Sequence, residues 1–171
     1  MLDLNYIVDR FTANAEAFAA LIRSASAEQA RWKPSPEEWS ILEVTCHLYD
    51  EEREDFRTRV RLTLTDPAAD WPPIDPIGWV AARSYNTQDP AERLEAFLAE
   101  RRASLEWLHG LQNPNWEARK THPRLGSATA GEMLWAWVAH DHLHLRQLNH
   151  LHWQWLETQA PAFSLEYAGG W

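Results

Sequence analysis

The segment AHDHLHLRQL, Ala139 to Leu148, sets three histidines within five residues on a stretch whose apolar spacing is helical. A helix turns about 100° per residue. His140 and His144 therefore share one face, with Cβ atoms roughly 6 Å apart, and His142 points roughly 160° away from each. The apolar line of this helix runs through Met133, Trp137, His140, His144, Leu148 and Leu151. Two imidazoles thus fall on the core side and the third in solvent. Buried side by side, two charged imidazoles would repel, and two neutral ones would each need a partner. A divalent metal meets that need, and His at i and i+4 on a helix is a recognised ligand pair. His47, in SILEVTCHLYDEE, stands three residues after Val44 and one before Leu48, at or near an inward face. It is the natural third donor. Cys46 lies about 100° round the helix from His47 and reads as a small buried side chain. Glu51 and Glu52 follow; each is either a carboxylate steadying the site or solvated charge, and Glu51 reads first as solvated.

Other arrangements fit less well. A zinc-protease helix needs His-Glu-x-x-His, and HDHLH lacks that glutamate. A di-iron carboxylate bundle needs two Glu-x-x-His pairs, and only Glu106–His109 has the spacing. His109 ends a helix, His122 falls in a loop, and His150 and His152 lie near the end of the last helix. There is no phosphate-binding glycine loop and no nucleophile elbow.

Four helical segments must position these residues. The first runs from about Leu4 to Ile22, with Leu4, Ile7, Val8, Phe11, Ala15, Phe18, Leu21 and Ile22 in one stripe. Ser35/Glu38 and Ser40/Glu43 both have capping-box spacing; Ser40 is the better cap for the second helix, with a short turn before it. Ile41, Val44, Leu48, Phe56 and Val60 carry its buried stripe. A Pro-rich linker, about Thr65 to Asp89, is long for a bundle connection and could cross the bundle end or cover a site. Asp89, Pro90 and Glu92 start the third helix, whose stripe is Leu94, Phe97, Leu98, Leu105 and Leu108. Thr129 and Glu132 cap the fourth, which runs to about Leu156. No segment alternates as a strand does. The expectation is one all-α domain over 1–171: a four-helix bundle with a long Pro-rich crossover loop between helices 2 and 3.

The chain has 171 residues, 45% of them hydrophobic and 24% charged, ample for one packed core. A net charge of −9 argues against a nucleic-acid groove. No apolar run approaches the roughly 20 residues of a membrane span, and the N-terminus lacks a signal-peptide pattern. With Cys46 the single cysteine, the expected compartment is a reducing cytoplasm. Tryptophan is over-used, with 11 copies. Most read as core or interface anchors.

Two stretches resemble the DinB/YfiT-like superfamily of small metal-binding bundles. EWSILEVTCHLYDEE is similar to the family's Trp-Ser start followed by His-Leu-x-Asp-x-Glu, matched by His47, Leu48, Asp50 and Glu52. HPRLGSATAGEMLWAWVAHDHLHLRQL is similar to its His-Pro and Gly loop and its His-Asp-x-x-His-x-x-Gln helix. His122, Pro123, Gly126, His140, Asp141, His144 and Gln147 occupy those positions. The resemblance implies a metal held by three histidines, which here are His47, His140 and His144. Asp141 and Gln147 match positions that support the site or the helix packing.

Three protein ligands leave a position for water or substrate, the pattern of a catalytic metal. Zinc is the first expectation and nickel the second, since imidazole suits both. Some family members are thiol transferases, so the resemblance implies an enzyme acting on a small molecule, first of all a low-molecular-weight-thiol S-transferase. The alternatives are a metal-dependent hydrolase and a non-catalytic metal-binding stress-response protein. Trp71, Trp79 and Tyr85 of the linker either shield the site or simply pack. A homodimer anchored by Trp135, Trp153 and Trp155 is expected, since family members often pair through helix faces.

Overall fold

A computed structural model describes residues 2–122 and 126–169. Pro123 of the loop motif lies outside the described residues. Helix α1 (Leu4–Ser24) starts where the Asp3 carboxylate accepts from the Tyr6 amide. A short α2 (Ala27–Arg31), capped by Ser26, follows. The second rod begins at α3 (Ile41–Asp50), where Ser40 and Glu43 form the reciprocal capping box. It continues through a π-helical segment, Glu51–Phe56, into α4 (Arg57–Thr65). Helix α6 (Pro90–Gly110) starts where expected, with the Asp89 carboxylate accepting from the Glu92 amide. Helix α7 (Ala130–Gln159) carries the Thr129/Glu132 box and extends three residues past the expected end.

Two expectations are corrected. The crossover is not a structureless loop. It holds α5 (Pro76–Ala82), started by the Asp75 cap with Pro at the first turn, and a 3₁₀ turn at Tyr85–Thr87. A strand pair also exists: β1 (Arg119–His122) runs antiparallel to β2 (Gly126–Thr129), in register from Arg119–Thr129 to His122–Gly126. Four residues per strand is too short for alternation to register in the sequence. His122 closes β1 rather than lying in a loop, and its ring stacks on Trp71. Lys120 donates to the carbonyls of Ala68 and Ala69, so the hairpin grips the start of the crossover.

Helix α1 packs against both α6 and α7, α3 against α6, and α4 against α7. The two larger apolar clusters lie inside the bundle. One joins Phe18, Val44, Leu48, Phe97 and Leu148; the other joins Ile7, Phe11, Leu108, Leu134 and Trp137. Between them lies a polar layer centred on Arg101, which is 1% exposed. Its guanidinium forks onto Asp141 at 2.6 and 2.8 Å and reaches Glu52 at 2.8 Å. Asn14 donates to Asp141 at 3.1 Å, and the Trp137 indole donates to Glu52 at 3.1 Å. Phe11 and Phe97 lie under the guanidinium, with ring centres at 4.5 and 5.4 Å. All four rods of the bundle thus contribute to a single buried network.

The π-helical segment carries Glu52, which reaches Arg101 in this layer. The same segment carries Phe56 against Trp137, with ring centres 5.7 Å apart.

The aromatic residues of the crossover pack within the chain. Tyr85 is buried with Leu42 and Cys46 and donates to Asp50. Trp79 takes the Arg83 guanidinium at 4.1 Å, and Trp71 takes that of Arg59 at 5.0 Å. Among the tryptophans offered as dimer anchors, Trp155 packs on Trp32 at 5.5 Å within the chain. Trp153 donates to Glu157, and Trp135 is 45% exposed beside Tyr6.

Replacing Arg101 by Met keeps the stem's contacts and leaves Asp141 buried without its cation. The expected cost is about 3–5 kcal/mol of unfolding free energy, read from urea denaturation. Adding Asp141→Asn and Glu52→Gln should return part of it, since no unpaired charge is then stranded. A loss below about 1 kcal/mol in the single variant would contradict the central role of this layer.

Candidate metal centre

His47 enters from the last turn of α3, and His140 and His144 from successive turns of α7. Their Nε2 atoms form a triangle. His47 stands 3.2 Å from His140 and 3.1 Å from His144, and the last two are 3.0 Å apart. His47 is 5% exposed, and the other two are half-buried. His142 is exposed, as its place on the helix predicts. Among the described residues these three form the only cluster of metal-binding side chains close enough to share one ion.

The triangle is hard to satisfy with protons alone. Gln147 Oε1 lies 2.8 Å from His144 Nδ1, so that nitrogen donates and Nε2 is left as a lone pair. His47 Nδ1 is buried without a partner. Burial pushes the His47 imidazolium down to about 2, with His144 and then His140 adding repulsion. Burial and His144 push His140 down to about 3. His144 is lowered by burial too, with the Gln147 bond opposing. All three rings are neutral at pH 7, the ligand form of histidine. With metal–nitrogen bonds of about 2.1 Å, facial octahedral ligands stand about 3.0 Å apart and tetrahedral ones about 3.4 Å. The observed edges fall within that span, so the residues fit a single divalent ion.

The surroundings fix the rings. Trp39 packs on His47 with ring centres 4.9 Å apart, and Phe56 on His140 at 5.0 Å. Neither contact is legible from helical spacing, although Trp39 belongs to the EWS motif. A cavity of about 450 Å³ opens beside His144, walled by Glu37, Glu38, Trp39, Ile77, Gln147 and His150.

Of the supporting residues expected, Gln147 touches a ligand directly. Glu52 and Asp141 do not; both are bonded to Arg101. Burial, chiefly, pushes the Glu52 carboxyl above the carboxylate range against the pull of Arg101. Glu51, expected in solvent, is 5% exposed, and its Oε1 has no partner. Burial and the charge of Asp55 push it up to about 8. Asp55 itself pairs with Arg59 at 2.6 Å. Cys46 is buried as expected, and burial raises its thiol to about 12.

A family model described as the DinB superfamily matches residues 10–148. Among curated proteins, none matches the chain. In fold the chain is similar to YfiT from Bacillus subtilis, described as a probable metal-dependent hydrolase with an unusual four-helix bundle topology. The two are 19% identical. The match covers 86% of this chain and 85% of that one, with a TM-score of 0.77.

The depressed histidine values predict a pH dependence in metal-free protein. The unfolded chain takes up protons below about 6.5 that the folded state refuses. Stability is unaffected by these rings above that value and falls as pH drops toward 3. Urea midpoints of chelator-treated protein should therefore fall from pH 7 to 5, and less so in a variant with all three histidines changed to Gln. Equal slopes for the two proteins would contradict neutral, buried rings.

Proposed function

The chain belongs to the DinB superfamily, and on that footing we propose that His47, His140 and His144 hold one divalent metal ion with an open position, where a small molecule is turned over. The convergence of three neutral Nε2 atoms within 3.2 Å carries this reading. Zinc is the first choice and nickel the second, because imidazole serves both. Three protein ligands, with a cavity beside His144, match an open catalytic site rather than a sealed structural one. The non-catalytic alternative would want a fourth protein ligand, and among the described residues none joins the cluster.

The finer proposal is a low-molecular-weight-thiol S-transferase. A bound dication supplies a Lewis acid that lowers the pKa of a ligating thiol or water. What the protein must add then differs between the two reactions. Hydrolysis draws on a carboxylate or imidazole base near the water. Here Glu52 and Asp141 are engaged with Arg101, which leaves Glu37, Glu38 and His150 of the cavity wall as the groups a hydrolase would draw on. A thiol needs no such base, since the thiolate is itself the nucleophile. The residues of the chain then have positioning work. Gln147 orients His144, Trp39 and Phe56 hold the other two rings, and the cavity wall brings an electrophile within roughly 3–3.5 Å of the sulfur. The hydrolase reading is favoured by the fold's likeness to YfiT.

Two measurements test this. Metal analysis of purified variants should show severe loss for His47→Ala, His140→Ala and His144→Ala, and near-native content for His142→Ala. Equal loss in all four would refute the ligand assignment. In cobalt-substituted protein, a biological thiol should change the visible spectrum and release about one proton per site. A spectrum unmoved by every thiol, with ester or amide substrates turned over, would replace the transferase by the hydrolase.

A further inference from the structure

A second cavity, about 370 Å³, lies on a different face of α3 from the histidines, against Cys46 and Asp50. Three guanidiniums line it, those of Arg53, Arg83 and Arg93, and two carboxylates, Asp50 and Glu54. In a chain of net charge −9, this wall carries one excess positive charge.

The charges are not evenly matched. Arg83 forks onto Glu54 at 2.9 and 3.0 Å and reaches Asp50 at 2.7 Å. Arg53 bonds Glu54 at 2.7 Å and the Tyr49 hydroxyl at 2.6 Å. Both carboxylates are thus engaged by Arg53 and Arg83. Arg93, half-buried in the first turn of α6, has no ion pair among the described residues. Its guanidinium stands 5.3 Å over the Tyr49 ring, which Arg53 also covers at 4.8 Å. Its planar fork of donors is free on the cavity side, and such a fork suits a carboxylate bidentately.

We propose that this cavity is a binding site for a small organic anion bearing one carboxylate, held by Arg93 and Arg53 beside Tyr49. The charge on the wall decides the class. A monoanion neutralises the excess of one, whereas a dianion leaves a partly buried negative charge unpaired. The volume sits at the lower end for small-molecule pockets. The site takes its ligand without the metal.

The test is a nuclear magnetic resonance titration of the full chain at constant ionic strength, with acetate and with succinate as the dianion, each with and without added zinc. Acetate should shift the Arg93 Nε–H and Tyr49 ring signals saturably and equally in both samples, and succinate should bind more weakly. Arg93→Met should weaken acetate binding by about 10-fold or more. Arg93→Lys should retain part of it, and the exposed Arg102→Met should leave it unchanged. Because Arg93 has no ion pair, its variants should keep the wild-type circular dichroism. An unmoved Arg93 signal, a response that needs zinc, tighter binding of succinate, or wild-type acetate affinity in folded Arg93→Met would each overturn the site. None of these results depends on the histidine cluster binding metal.

Discussion

One buried guanidinium orders this bundle. Arg101 reaches Asp141 of α7 and Glu52 of the second rod, and Asn14 of α1 completes the layer through Asp141. Burying a charge is costly unless it is paired and hydrogen-bonded. Any rotation or slide of one helix would strand a charge in the apolar interior, so the layer fixes register where apolar clusters alone would tolerate repacking. The clusters above and below supply most of the burial, and the layer supplies the geometry. It also sets where His140 points, because Asp141 is its neighbour on α7.

The histidine triangle follows from that fixed register. With Asp141 and Glu52 both bonded to Arg101, His47, His140 and His144 face one another across the gap between α3 and α7. Their crowded lone pairs are unfavourable in isolation. Trp39, Phe56 and Gln147 nonetheless hold them there. A preformed arrangement of this kind favours a bound cation, since little reorganisation is needed to receive it.

Much of this was legible in the sequence. The caps at Ser40, Asp89 and Thr129 are local hydrogen bonds within four residues, and they start the helices where expected. The pairing of His140 with His144, and the outward His142, are consequences of helical pitch alone. What escaped depended on burial or on distant partners. Glu51 reads first as solvated because a carboxylate is seldom buried unpaired, although it stands one α-helical turn after the inward His47, and it is buried. Asp141 reads as a support of the site or of the helix packing, and Glu52 as a carboxylate near the site or solvated charge. Their partner Arg101 is on another helix and breaks no local rule except its place in an apolar stripe between Phe97 and Leu108. The β1–β2 hairpin is too short to show alternation, and α5 sits in a Pro-rich stretch that composition assigns to loop. Trp71 and Tyr85 pack on Arg59 and Asp50, partners that spacing cannot associate with them, whereas Trp79 packs on Arg83 one turn along.

The central claim is that three imidazoles bind one ion and leave it open to a further ligand. X-ray absorption at the metal edge of the loaded protein tests it most directly. The account predicts three imidazole nitrogens at about 2.0–2.1 Å, together with one or more light scatterers contributed by solvent, and no sulfur. A sulfur shell near 2.3 Å, a coordination sphere closed by a fourth protein side chain, or fewer than three imidazoles would contradict it.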